Sequence, residues 1–185
     1  MLVLLLVADS VSHDATGYGG GPARSPTLDR LAAEGTVFPH AVASAGWTVP
    51  SLVSVATGAY PHRVGVARWR HPFPRRRPTL MSAFAAAGFE VHTLAHNPRW
   101  CLANSGQQGE PGDSQDPETV RRALRLPRGA DRLVVLHHWW THLPYRQEAM
   151  PRDRWRAACD VELQALGEDP ATHVPRLRDA YHAAL

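Results

Sequence analysis

The stretch Trp47-Thr48-Val49-Pro50-Ser51 opens an apolar run that ends at Thr57-Gly58. Thr48 has the residue type of a helix N-cap, Pro50 suits a first helical turn, and Ser51 starts the helix proper. A hydroxyl there faces the positive end of the helix and its unpaired backbone N–H groups, where an anionic ester group would dock. An ordinary capped helix uses the same residues, and the stretch alone leaves both readings open. Two further places hold reactive groups. Asp9 ends the apolar run Leu2–Ala8, and His137, His138 and His142 stand at and beyond the end of the run starting at Arg132. Singly, these read as a turn-capping carboxylate and as packed or hydrogen-bonded imidazoles. A sheet, however, gathers the ends of non-adjacent strands onto one edge. A carboxylate and imidazoles gathered there can hold a divalent cation, which would activate a threonine hydroxyl.

The elements around these residues follow from local signals. Leu2–Ala8 is a continuous apolar run, the pattern of a strand covered on both faces, and Asp9 marks its C-terminal end. After the Gly-rich loop Gly17–Pro22, Ser25-Pro26-Thr27 opens an amphipathic helix that Gly35 stops. Thr36–Ala43 reads as a short second strand, Pro50–Thr57 as a helix ended by Gly58, and Thr79–Ala87 as a helix closed by Gly88. Phe89–Ala95 alternates as a strand, Pro117–Leu126 is a short helix, and Arg132–His138 is a buried strand. Two amphipathic helices between Pro151 and Leu185 break near Gly167–Pro170. Strands alternating with helices predict a three-layer α/β domain spanning the chain.

Composition narrows the function classes. The 185 residues are 44% hydrophobic with a formal net charge of +3, which suits a single domain with a real core. All 20 basic residues are Arg, so no lysine serves as base, Schiff-base former or phosphate clamp. The run Arg75-Arg76-Arg77, between two prolines, reads as a solvated loop, and no basic stripe interleaved with aromatics argues for nucleic acid. Cys101 and Cys159 show no metal-ligand spacing and read as free thiols of a reducing compartment, with a cytoplasmic location expected. The N-terminal apolar run is too short to span a bilayer, so no membrane partner is expected.

The residues also resemble a known family. Leu5–Ser10, Asp14, Gly17-Tyr18-Gly19, Ser25–Gly35 and Phe38 are similar to the N-terminal half of sulfatases in the alkaline phosphatase superfamily. Trp47–Ser51 and Thr57–Val66 (TGAYPHRVGV) resemble the nucleophile segment and the run behind it, and His137–Tyr145 resembles the family's histidine-rich segment. The resemblance implies an alkaline-phosphatase-like αβα fold around a mixed sheet and a small-molecule sulfate or phosphate ester as substrate. It implies a divalent metal (Ca, Mg, Mn or Zn) with Asp9 and Thr48 as ligands. Thr48 would be the nucleophile, and the helix N-terminus at Pro50–Leu52 would hold the oxyanion. His142 would contact the transferred group or protonate the leaving oxygen, with Ser51, His137 and Asn97 contacting substrate.

Departures from the family pattern qualify this. A threonine cannot be oxidised to the formylglycine that many sulfatases carry, so direct attack by Thr48 is the natural chemistry. Leu52 stands where an arginine is usual, Ser10 replaces an acidic ligand, Ser12 stands where relatives often have arginine, and Trp140 where they often have aspartate. The family's later metal ligands have no counterpart in the sequence. The chain therefore reads as the front portion of such an enzyme, with an uncovered sheet edge prone to self-association. The alternative is a non-catalytic remnant or a partner-dependent interaction module.

Overall fold

The computed structural model describes residues 1–66, 77–95, 114, 116–125, 129–139, 141–143, 145 and 152–184. They fall into two compact units, Met1–Val7 with Val42–His138, and Ala8–Ala41 with Trp139–Leu185.

The first unit is built on three strands, β1 (Leu2–Ala8), β2 (Glu90–Ala95) and β3 (Arg132–His138), in the order β1-β3-β2. β2 and β3 pair in parallel, from Glu90 opposite Arg132 to Ala95 opposite His137. The Arg132 N–H donates to the Met1 carbonyl at 2.8 Å, just where β1 and β3 both begin, so β1 runs the same way. One face of the sheet packs against α2 (Thr48–Thr57), α3 (Leu80–Ala86) and a 3-10 turn over Pro61–Val64. Val53, Met81, Leu133 and Val135 are fully buried there. Burying each such side chain stabilises the fold by about 1.5–3 kcal/mol. The opposite face of β2 and β3 is closed by α4 (Pro117–Leu124) through Leu94, Ala123 and Val134. The layering is helix, sheet, helix, as predicted.

Local chemistry explains the helix ends. Gly58, at φ +65°, takes the left-handed C-cap position that few other residues adopt without strain. Thr79 and Ser82 form a reciprocal capping box at the start of α3. The Asp116 carboxylate accepts from the Glu118 and Thr119 N–H groups at the start of α4, and the Thr119 hydroxyl followed by the Glu118 N–H holds it below the usual aspartate range.

The second unit holds α1 (Pro26–Glu34), α5 (Arg152–Glu168) and α6 (Pro170–Ala184). The loop before α1 is tied to it by Asp29, whose carboxylate accepts from the Tyr18 N–H at 2.8 Å and the Ser25 hydroxyl at 2.9 Å. A Cβ on Gly19 would lie 1.9 Å from the His13 carbonyl oxygen, so this loop requires glycine there. Arg176 of α6 pairs with Glu162 of α5. Among the described residues no helix is long and apolar enough to cross a membrane.

Two expectations are corrected. Thr36–Ala43 is not a strand: the segment is exposed throughout and turns where the Ala41 N–H donates to the Phe38 carbonyl at 3.1 Å. Pro39, at its centre, has no N–H for a ladder. β1 is not covered on both faces. Val3, Leu5 and Val7 pack on the core, while Leu2, Leu4 and Leu6 are 40%, 48% and 47% exposed. Among the described residues the layer under α4 draws on β2 and β3.

Candidate functional site

Thr48 is the first residue of α2 and is half-buried. The N-cap is Trp47, not Thr48 as the sequence suggested, and the indole makes no capping bond. Ser51, half-buried in the same turn, donates its N–H to the Trp47 carbonyl at 3.1 Å. Pro50 has no N–H. The N–H groups ahead of the first intrahelical bond therefore belong to Thr48 and Val49, and the anion-facing end of the helix lies there rather than at Pro50–Leu52. Leu52, at the position where an arginine was expected, is 4% exposed and lies in the core cluster with Val49 and Val53. Its side chain serves packing and offers no contact to an anion. Tyr60 and His62 stack at 5.8 Å just beyond α2.

His137 ends the buried face of β3 that carries Leu133 and Val135, and is 1% exposed. His138 points to the other face, where burial first and the neighbouring His137 second hold its imidazole below the usual range. The neutral form is favoured there.

In the second unit, side chains from far along the sequence hold the loop after β1. The Asp9 carboxylate accepts from the Ser10 hydroxyl at 3.0 Å. The serine that replaces an expected acidic ligand thus donates to the carboxylate instead of adding charge. The Thr141 hydroxyl donates to the Asp9 carbonyl. The Tyr181 hydroxyl of α6 accepts from the Ser12 N–H at 2.6 Å and donates to the Ser10 carbonyl at 3.0 Å, across a Ser10 with φ +61°. Tyr145 packs edge-on against Tyr181 at 5.4 Å, and burial followed by that neighbour pushes the Tyr145 phenol up.

His142, half-buried, lies in a turn closed by its own N–H donating to the Trp139 carbonyl at 3.0 Å. Its ring stacks on Trp139 at 5.4 Å and 18°, and meets Trp155 of α5 at 5.4 Å and 56°. Its Nδ1 lies 3.0 Å from the Leu143 carbonyl oxygen. A carbonyl only accepts, so Nδ1 carries the proton and Nε2 is the nitrogen left to exchange one.

Asp9 and His142 thus belong to one unit, and Thr48, Ser51 and His137 to the other. Asn97, Trp140, Arg75, Arg76 and Cys101 lie outside the described residues. Sequence reasoning missed Thr141, Trp155, Cys159 and Tyr181; the i, i+4 spacing of Trp155 and Cys159 was the one available signal. Among the described residues no three His, Cys, Asp or Glu side chains converge. Zinc takes four ligands and the harder cations six or more. The described donors therefore do not fit a complete cation site.

Comparison with known proteins decides the lineage. The profile of the family described as Sulfatase matches residues 1–121 of the 185. The chain belongs to the sulfatase family. It is 24% identical over 127 residues to the N-acetylglucosamine-6-O-sulfatase of Bacteroides thetaiotaomicron, covering 63% of this chain and 22% of that protein. It is similar in fold, with a TM-score of 0.63 at 19% identity, to a protein solved in complex with its substrate D-glucosamine-2-N,6-O-disulfate. That match covers 82% of this chain and 36% of the other. A protein of the alkaline phosphatase superfamily from Vibrio parahaemolyticus matches with a TM-score of 0.54 at 16% identity, over 99% of this chain and 48% of its own. The fold is alkaline-phosphatase-like. This sulfatase-family chain spans well under half the length of the curated relatives it matches.

Proposed function

We propose that this chain carries the nucleophile-bearing part of a hydrolase of small-molecule sulfate esters, with Thr48 as the nucleophile. One observation carries the reading. Thr48 is the first residue of α2, where its N–H and that of Val49 precede the helix's first hydrogen bond, in a segment matched to the sulfatase family. Backbone N–H groups and a helix dipole aimed at a sulfuryl group favour the extra negative charge of the transition state. The Thr48 oxygen forms a bond to sulfur as the bond from sulfur to the ester oxygen breaks. The threonine proton leaves to solvent, and the departing oxygen takes up a proton. Water then attacks the threonine sulfate, releasing sulfate and restoring the hydroxyl. His142, with Nδ1 held by the Leu143 carbonyl, suits proton delivery from Nε2. Asp9 is the carboxylate to which a divalent cation would bind, together with donors beyond the described residues; no step is assigned to that ion.

The test compares Thr48→Ala and Thr48→Ser with the parent protein on 4-nitrophenyl sulfate and 4-nitrophenyl phosphate. Loss of turnover by more than ~10³-fold in Thr48→Ala, with partial retention in Thr48→Ser, is expected. Mass spectrometry of quenched parent protein should then show an added SO3 on the Thr48 peptide. Unchanged hydrolysis by Thr48→Ala overturns the assignment, and turnover of the phosphate alone moves the substrate class to phosphate esters.

A further inference from the structure

We infer that α5 is a positioning element for His142, acting through the Trp155 indole packed at a tilt against the imidazole and through the Cys159 thiol on the carbonyl that holds Nδ1. The inference rests on the reading that His142 delivers the leaving-group proton. Trp155 and Cys159 stand one turn apart on the same face of α5. Trp155 lies 5.6 Å from Trp139 and 5.4 Å from His142, and Trp139 stacks on His142, so three rings contact one another in a closed triangle. That packing limits rotation of the imidazole about its ring torsion, which is otherwise broad. The Cys159 Sγ–H donates to the Leu143 carbonyl oxygen at 3.1 Å, the same oxygen that accepts from His142 Nδ1 at 3.0 Å. A carbonyl oxygen has two lone pairs, and α5 supplies the second donor that keeps this one in place.

The thiol is suited to that task. Cys159 is 8% exposed. Burial, and then the carboxylates of Asp160 and Glu162, push its thiol up to about 11, so it keeps its proton at neutral pH and remains a donor. A thiolate would be a poor nucleophile when so buried and would lose the bond to Leu143. The Leu143 carbonyl accepts and cannot donate, so the neutral imidazole is fixed as the Nδ1–H form with its Nε2 lone pair presented. On protonation Nε2 becomes the donor. Among the described residues Nε2 has no hydrogen-bond partner, while Nδ1 and one ring face are committed to backbone and indole. The arrangement determines which nitrogen exchanges the proton, as second partners of functional histidines generally do.

The test reads the imidazole directly. Long-range 1H–15N correlation spectra of the whole chain, recorded above the ordinary histidine range, should show His142 as the Nδ1–H form. Trp155→Ala and Cys159→Ala should each shift it toward a mixture of the two neutral forms, whereas Trp155→Phe and Cys159→Ser should retain the parent pattern. Cys159→Ala deletes a single sulfur and serves where Trp155→Ala lowers the yield of folded protein. A parent spectrum showing the Nε2–H form overturns the inference, as does an unchanged Nδ1–H form in both alanine variants. Turnover gives the second arm. kcat in Cys159→Ala should fall on the order of 10-fold with KM unchanged, less than the 10²–10⁴ attached to losing an acid outright. A shifted imidazole with unaltered kcat would leave α5 as the element that orients the ring and would remove His142 from the reaction. That outcome is separate from any result on Thr48.

Discussion

β1 (LVLLLVA) and β3 (RLVVLHH) are hydrogen-bonded neighbours of equal length, and the more apolar of the two is the less buried. β3 lies between β1 and β2 and is covered by α2 and α3 on one face and by α4 on the other. Among the described residues β1 has β3 on one side and a helix layer on one face, and its burial alternates residue by residue. Apolar composition records that a strand sits in an α/β sheet, while position in the strand order decides how many layers cover it. The buried polar residues of β3, Arg132 and His137, show the same thing from the other side. A central strand can bury Arg132 because its neighbours supply the guanidinium's partners.

The largest expected difference between the strands comes from the same truncation in each. Leu133 is fully buried, and Leu133→Ala should destabilise the protein by about 2–5 kcal/mol, the range for a core leucine with a residual cavity. Leu4→Ala should cost far less. Denaturant unfolding of both variants against the parent measures the contrast. Next comes Arg132, whose Nε and Nη2 donate to Glu90 Oε2 at 3.0 and 2.6 Å and whose Nη1 donates to the Ala123 and Arg125 carbonyls at 3.0 and 2.6 Å. One side chain ties the start of β3 to β2 and to the C-terminal end of α4. Arg132→Met keeps the packing stem and strands two carbonyls, for an expected loss of about 1–3 kcal/mol. The Glu90 carboxyl, held below its usual range by the hydrogen bond from Arg132 and then by its charge, should return toward the ordinary glutamate value in that variant, which NMR titration reads.

The sequence was most legible where structure is decided within a few residues. Gly35 as the stop of α1, Gly58 as the stop of α2, Pro117 as the head of α4 and both ends of β3 were all read correctly, because helix stops, helix heads and strand ends are local chemistry. The open face of β1 and the exposed Thr36–Ala43 segment were misread, because coverage depends on which other elements reach them. The candidate site divides the same way. Thr48 at the start of α2 follows from Thr-x-Pro, although the cap itself fell one residue earlier. Nothing near Asp9 announces Tyr181, which is 171 residues from Ser10, and nothing near His142 announces Trp155 and Cys159.

A smaller effect should appear with pH. Burial, followed by the charge of Arg132, holds His92 of β2 below the usual histidine range, against a smaller opposite pull from Glu90. Burial and then His137 do the same to His138 of β3. The unfolded chain protonates near the ordinary value of about 6.5, while the folded one resists. These groups therefore contribute stability that is complete above that value and is lost as pH falls toward the folded values. His138→Gln should flatten the fall in unfolding free energy on going from about pH 7.5 to 5.5, relative to the parent. An identical slope in both proteins would mean that the buried end of β3 binds a proton as readily folded as unfolded.

The smallest effect belongs to the open face of β1. Leu4 is 48% exposed, and Leu4→Thr substitutes a residue of good strand propensity for one that buries little. Stability should change by less than about 0.5 kcal/mol, as for most exposed positions. Light scattering of parent and variant at rising concentration supplies the complementary readout, since Leu2, Leu4 and Leu6 form an apolar row on one side of the sheet. Reduced association with unaltered stability is the expected pair of results. A loss approaching that of Leu133→Ala would show that something covers the row in solution. A parent midpoint that rises with protein concentration would then identify the cover as a second copy of the chain, because only association makes unfolding concentration-dependent. A concentration-independent midpoint would locate the cover within the same chain, and β1 would join β3 as a strand with two buried faces.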